Sequence, residues 1–224
     1  MEPLHTHAIV LYTTNYTSSK KIVHLLTPDY GKLSCIVSGI SSKKGKALRA
    51  YLQPSNQIQC VVIKQSIRQN LYQLKEVSLI HSYQSIPYDV MKSSQAFFLC
   101  ESMNRLTVEE DHAIMLYEFV SNAFNLLDVI GRGAENFHIV FLFQLIKIQG
   151  YELTKDYLNQ YLSLNEIESS IYRCEQLKFD MLSEIRWNRG IRNRWIEVII
   201  IHIERSLNIS LKIKSLDVLK QIFA

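Results

Sequence analysis

Apolar positions recur along this chain with two different periods, and the change falls near residue 80. Before it, short β-rich runs alternate with turn signals. Ala8–Thr13 is one run, Lys21–Thr27 (KIVHLLT) the next. Pro28-Asp29-Tyr30-Gly31 follows as a turn, since Pro presets φ and Gly accepts a left-handed position. Lys32–Ser38 alternates, with Leu33, Cys35 and Val37 on one face, and Ile58–Ile63 and Tyr72–Val77 complete about five strands. After Ile80 the spacing becomes helical. Ser93–Leu106 carries apolar residues at 96, 97, 99, 100, 103 and 106. His112–Val129 continues with Ile114, Met115, Phe119, Val120, Ala123, Leu126 and Leu127. Asn136–Gln149 is apolar almost all round and reads as the central buried helix, with Gly150 as its stop. Arg192–Leu207 puts Trp195, Val198, Ile199, His202 and Ile203 on one face, and Leu216–Phe223 closes the chain as a short helix. Residues 151–190 read as weakly helical with irregular connections.

Five short strands in some 75 residues, with almost no helical periodicity among them, suit a small barrel, and the OB type leads. The expected class is α+β: a five-stranded OB-type barrel in residues 1–80, then an all-helical domain in 81–224. The longest apolar run, near Phe137–Ile146, is shorter than the roughly 20 residues that a membrane span needs. MEPLHTH lacks the basic start and apolar stretch of a signal peptide, so a soluble cytoplasmic protein is expected.

Charge sharpens this division. Residues 1–75 hold ten Lys/Arg against two acids, Glu2 and Asp29, a net of +8; residues 76–224 hold fifteen against nineteen, a net of −4. The overall +4 hides a basic module joined to a mildly acidic one. Clustered cations bind nucleic acid through counterion release. The densest cluster is Ser41–Arg49 (SSKKGKALR), with Lys43, Lys44, Lys46 and Arg49; Gly45 and the serines are expected to make it mobile. Such a loop follows a phosphate backbone without reading bases. Tyr12, Tyr16, Tyr30 and Tyr51 lie near it in sequence and offer stacking faces. The alternative is a solvated basic loop beside half-buried tyrosines. A second cluster, Arg186–Arg194 (RWNRGIRNR), reads equally as an anion site or as the solvated start of a helix. Arginines at a helix start oppose its dipole.

Enzyme motifs are missing. Around Gly45-Lys46 a phosphate loop would need Gly where Ile40 stands and Ser or Thr where Ala47 stands. Gly131-x-Gly133 falls between helices with no strand before it, so it is no dinucleotide fingerprint. There is no HExxH and no GxSxG. Cys35, Cys60, Cys100 and Cys174 form no CxxC pair, so no zinc knuckle, metal or other cofactor is expected, and Cys35 and Cys60 read as core residues. His5 and His7 are expected at a frayed end, and His202 as a packed core histidine.

Ala8–Pro54, with its IVL-T-x-x-Y start, LLTPDYG turn, SG, basic tract and LQP, resembles the bacterial recombination mediators of the RecO family, as does the terminal IKSLDVLKQIF (Ile213–Phe223). The resemblance implies an OB barrel and a helical C-terminal domain. It also implies binding of single- and double-stranded DNA, strand annealing, and recombinase loading with RecR. Docking to the acidic-hydrophobic tail of single-strand-binding protein is a further implication, as is nucleoid association in the cytoplasm. Many relatives carry a four-cysteine zinc module; the corresponding Tyr151–Asn188 has only Cys174. Ser18 stands where the pattern leads one to expect an acid, which makes the Lys20-Lys21 neighbourhood more basic. Together these point to a non-enzymatic DNA-repair mediator. The DNA-binding candidates are Lys20, Lys21, Lys43, Lys44, Lys46, Arg49, Tyr16 and Tyr51. The tail-binding candidates are Arg186, Arg189, Arg192 and Arg194, with Trp187 and Trp195 as an apolar slot or, alternatively, as core. The rival readings are an adaptor whose barrel binds an acidic partner and an RNA-binding OB protein.

Overall fold

The structure, a computed structural model, describes residues 2–40, 45–64, 71–106, 113–151, 153–154, 158 and 177–223. Five strands close a barrel: β1 (Leu4–Asn15), β2 (Lys20–Thr27), β3 (Gly31–Ser38), β4 (Gln57–Lys64) and β5 (Leu71–Leu79). Their order is β1-β2-β3-β5-β4, with β1 pairing both β2 and β4 and only β3–β5 parallel. The barrel is of the OB type, as the strand pattern leads one to expect. At the β2–β3 turn Gly31 has φ +60°, and buried Thr27 secures the turn, its Oγ1 accepting from Tyr30 N at 3.2 Å and donating to Gly31 O at 2.9 Å.

The run Ala8-Ile9-Val10-Leu11 is buried on both faces of β1. Ala8 and Val10 enter the barrel core with Val23, Leu25, Cys35 and Val62. Ile9 and Leu11, with Leu26 of β2, turn outward into the core of the helical part. That is why this strand reads as continuously apolar. His5 and His7 are strand residues opposite Val61 and Gln59 rather than a frayed end; the long β1–β4 ladder holds them.

Between β3 and β4 lies a helix that the sequence did not announce, α1 (Lys46–Tyr51). The helical part contains α2 (Val90–Leu106), α3 (Ala113–Val129), α4 (Phe137–Ile148), α5 (Arg189–Leu207) and α6 (Ser215–Ile222). Asp89 caps α2, its Oδ1 accepting from Met91 N and Lys92 N at 2.8 and 3.2 Å. α4 is buried nearly all round, and Gly150 follows it at φ +80°. α5 starts three residues before the expected Arg192, because Asn188 caps it by accepting from Ile191 N at 2.9 Å. On α3 the buried stripe is Leu116, Tyr117, Val120, Ala123, Phe124 and Leu127, whereas Ile114 and Met115, expected on it, are exposed. His202 is a core histidine whose Nε2 lies 3.1 Å from Tyr151 O.

Gln57 of β4 joins the two parts. Its side chain is buried, with Nε2 2.9 Å from Tyr83 Oη and 2.9 Å from Asn125 Oδ1, and its Oε1 accepts from Ser121 Oγ at 2.8 Å. Tyr83 in turn donates to Ser55 O at 3.1 Å. Lys32 of β3 donates to Asn104 O of α2 at 2.6 Å, so this cation belongs to the joint rather than to an open surface.

Candidate nucleic-acid interface

The β1–β2 hairpin carries the first candidates. Tyr16 N and Thr17 N both donate to Lys20 O at 3.0 Å, and Thr17 Oγ1 accepts from Lys20 N at 3.1 Å. This tight turn leaves Tyr16 56% exposed and Lys20 exposed. The β2–β3 register sets Lys20 opposite Ser38 and Lys21 opposite Val37, at the end of β3 from which the basic tract leaves.

That tract is not wholly a mobile loop. Lys43 and Lys44 lie outside the described residues. Gly45, expected to loosen the chain, is buried, and a Cβ there would stand 2.2 Å from Gly39 O and 2.6 Å from Ile40 O. Only glycine permits this close approach, which brings the start of α1 back against Gly39 and Ile40, just past the end of β3. Arg49 of α1 donates from Nη1 to Ile40 O, and its own carbonyl accepts from Gln53 Nε2 at 2.9 Å. Asn56 Nδ2 donates to Ala50 O at 2.8 Å, tying the helix end to β4. Lys46 and Arg49, three residues apart, share a helix face and are exposed. Tyr51 is half-buried.

Lys21 and Arg49 therefore meet, from different elements, at one pocket of about 270 Å³. Its walls include Tyr12 of β1, Gln53 and Pro54 after α1, and Phe97 of α2. Sequence reading missed Phe97, because 97 fits the apolar stripe of α2. In the structure Phe98 is fully buried and Phe97 is 48% exposed. An exposed aromatic within that stripe is the signal that could have found it, but it becomes visible only once the helix is docked.

The second cluster is arranged differently. Trp195 is buried in the core, 5.2 Å edge-on from Phe143, with Trp187 5.8 Å from it. The protein's own rings thus fill the space expected of an open slot. Arg192 donates to Trp187 O at 2.7 Å and lies over the Phe223 ring. Arg194 pairs with Glu197 at 3.7 Å, and Arg186 donates to Ser183 O at 2.6 Å. Arg189 is exposed in the first turn of α5.

The cysteines are not poised for chemistry. Burial pushes the Cys35 and Cys100 thiols up, with the neighbouring Cys60 adding to the effect on Cys35. Cys60 is pushed up to about 12 by burial alone. These are packed thiols without thiolate character. Cys174 lies outside the described residues. Among the described residues, no group of three or more His, Cys, Asp or Glu could hold a metal ion, and no helix is long and apolar enough to cross a membrane.

A closed OB-type barrel with cations gathered at one end, seated on a bundle of helices, defines the class. Two models of one family match this chain: that for the N terminal part of recombination protein O over residues 1–83, and that for its C terminal part over 87–157. A DNA repair protein RecO from Phocaeicola vulgatus is 29% identical over 98% of both chains. Another from Flavobacterium psychrophilum is 28% identical over 99% of both, and one from Porphyromonas gingivalis is 31% identical over 63% of this chain and 58% of its own. The chain belongs to the recombination protein O family, a family of DNA repair and recombination.

Proposed function

We propose that this protein is a DNA repair and homologous recombination mediator that binds single- and double-stranded DNA. In this reading it anneals complementary strands and helps load recombinase together with RecR. The observation that carries the reading is the convergence of Lys21 and Arg49, flanked by Lys20 and Lys46, on one end of the barrel in a chain of this family. Annealing requires no bond to be made or broken, so the proposed role is not enzymatic. A cationic surface lowers the repulsion between two phosphate backbones while their bases search for register. The barrel-end cations, with Lys43, Lys44, Tyr16 and Tyr51, are the proposed contacts. The acidic tail of single-strand-binding protein is the proposed partner of the cations around Arg189, with Arg186, Arg192 and Arg194 beside it. The proposed setting is the cytoplasm, at the nucleoid.

The test is oligonucleotide binding as a function of salt. Replacing Lys43, Lys44, Lys46 and Arg49 with Ala removes four cations. The slope of log affinity against log salt for a single strand should become shallower by roughly 0.7 per cation, or about 3 units. Melting should fall by only a few degrees, since Lys46 and Arg49 are exposed and the Arg49 hydrogen bond to Ile40 O contributes roughly 1 kcal/mol. An unchanged slope would move the DNA site off this end of the barrel. RNA competing as well as DNA would favour an RNA-binding role.

A further inference from the structure

We infer that the pocket between the barrel and α2 seats one unstacked nucleotide of a single strand, with its base against Phe97 and Tyr12 and its phosphate on Lys21 and Arg49. The inference rests on the DNA-binding reading and assigns it a place.

The geometry starts from α2. Cys100 Sγ lies 3.6 Å from Val10 O, so this helix runs against β1. Phe97 is three residues earlier on the same face, beside Tyr12, which follows the β-bulge between Val10 and Tyr12. The helix neighbours Ala96, Phe98, Leu99 and Cys100 are buried, yet Phe97 is left 48% exposed. A half-exposed aromatic beside a cavity is a stacking platform in want of a ring. Lys21 from β2 and Arg49 from α1 bring two cations into the same lining, and Gln53 adds a polar side chain.

About 270 Å³ sits at the low end for small-molecule sites, with room for one heterocycle and its sugar and none for a duplex. Part of the lining is held by the fold itself. Ile40 O anchors Arg49, and Ser55 holds φ +72° while its N–H donates to Val10 O at 2.8 Å. The Gln57–Tyr83–Ser121 contacts hold the barrel against the helices. Such preorganisation favours capture of a mobile strand. Lys20, beside Lys21 in β2, and Lys46, three residues before Arg49 in α1, add cations beyond the pocket lining, which suits an extended polyanion that passes through with one residue inserted.

For an annealing protein the arrangement has a use. A base held out of stack in one strand is unpaired, and it is released when the complementary strand offers a better stack.

The experiment compares the full chain with its Phe97→Ala, Phe97→Leu and Phe97→Tyr variants. The probes are an oligothymidylate and a duplex hairpin, each titrated at several salt concentrations. Phe97→Ala and Phe97→Leu should weaken single-strand binding by roughly 5- to 150-fold, the loss of one stacked base. The salt slope should stay unchanged, because no phosphate contact is removed. Phe97→Tyr should bind as the natural protein does, and duplex affinity should move less than twofold in all three. Leu keeps the apolar volume, so a melting temperature equal to that of the natural protein separates loss of the ring from loss of fold. If the natural protein binds with a steep salt slope and Phe97→Leu binds the single strand equally well, the nucleotide pocket is wrong and the DNA-binding reading stands. If the natural protein binds neither probe, both fall. If Phe97→Leu loses an acidic, aromatic-ended peptide but keeps the single strand, the pocket belongs to a protein tail and the inference is overturned.

Discussion

Asp128 makes the joint between barrel and helices testable with a single atom. It lies in the last turn of α3 with its carboxylate turned into the connection that leads from β5 to α2. Oδ2 accepts from Gln84 N at 2.7 Å, and Oδ1 accepts from Ser85 N at 2.7 Å and Ile86 N at 2.9 Å. The Asp128 carbonyl accepts from buried Lys92 Nζ at 2.8 Å and from Ser85 Oγ. Asp128→Asn keeps the shape. One oxygen still serves Ser85 and Ile86, but the new amide faces the Gln84 N–H donor to donor. One charge-assisted bond is lost and two become neutral. At roughly 1.5–3 kcal/mol for a bond to a charged group and about 1 for a neutral one, the total is roughly 2.5–7 kcal/mol. For a chain of this size that is a fall of roughly 5 °C or more in melting temperature. Burial raises the carboxyl pKa, but the N–H groups of Gln84, Ile86 and Ser85 outweigh it and hold the pKa below the ordinary 3.8. A lowered carboxylate pKa contributes stability that is complete well above 3.8 and lost as pH falls through the folded value. Calorimetry of both proteins should therefore show a gap that is constant near neutrality and closes in acid below 3.8. A variant melting within 2 °C of the natural protein at pH 7, or a gap that widens in acid, would refute this reading of the joint.

His138 is fully enclosed, its N–H and Nδ1 both within 3.1 Å of Gln95 Oε1, and burial, with the charge of Arg192, pushes its pKa down to about 3. Its ring resonances should not shift between pH 7.5 and 5, and stability should begin to fall as pH drops below 6.5, where the unfolded histidine takes up a proton; a ring titrating near 6.5 would contradict this. The two glycines of Gly131-x-Gly133 should part company on substitution. Gly131→Ala meets nothing within 4 Å and should stay within about 0.5 kcal/mol, whereas Gly133→Ala, at φ +85° with its Cβ 2.2 Å from Leu182 O, should cost roughly 2–3 kcal/mol or more in denaturant titrations; equal effects would refute the packing role.

The sequence reaches some of this structure and not the rest, for physical reasons. The barrel strands were legible because alternation is local, and Pro28-Asp29-Tyr30-Gly31 carries its own turn chemistry. The outward burial of Ile9, Leu11 and Leu26 was hidden, because an apolar run does not name the element that covers it. α1 was illegible for another reason. Six residues are too few to show a helical period, and the helix is held by contacts from outside it, Gly45 on Gly39 and Arg49 on Ile40. The basic tract was visible as charge, yet its meeting with Lys21 depends on strand register. The pocket draws on residues 12, 21, 49 and 97, and no local pattern links them. At Arg186–Trp195 the competing reading of Trp195 as core is the one the structure adopts, since α5 turns it toward Phe143.

The proposed mediator role stands or falls on the annealing of two complementary oligonucleotides, followed by fluorescence quenching with and without the full chain. Annealing should be faster with the protein at low salt, should slow as salt rises, and should be slower with the Lys43, Lys44, Lys46 and Arg49 to Ala variant at every salt concentration. Annealing at the rate of the protein-free strands under all conditions, with the protein folded and in excess, would contradict it.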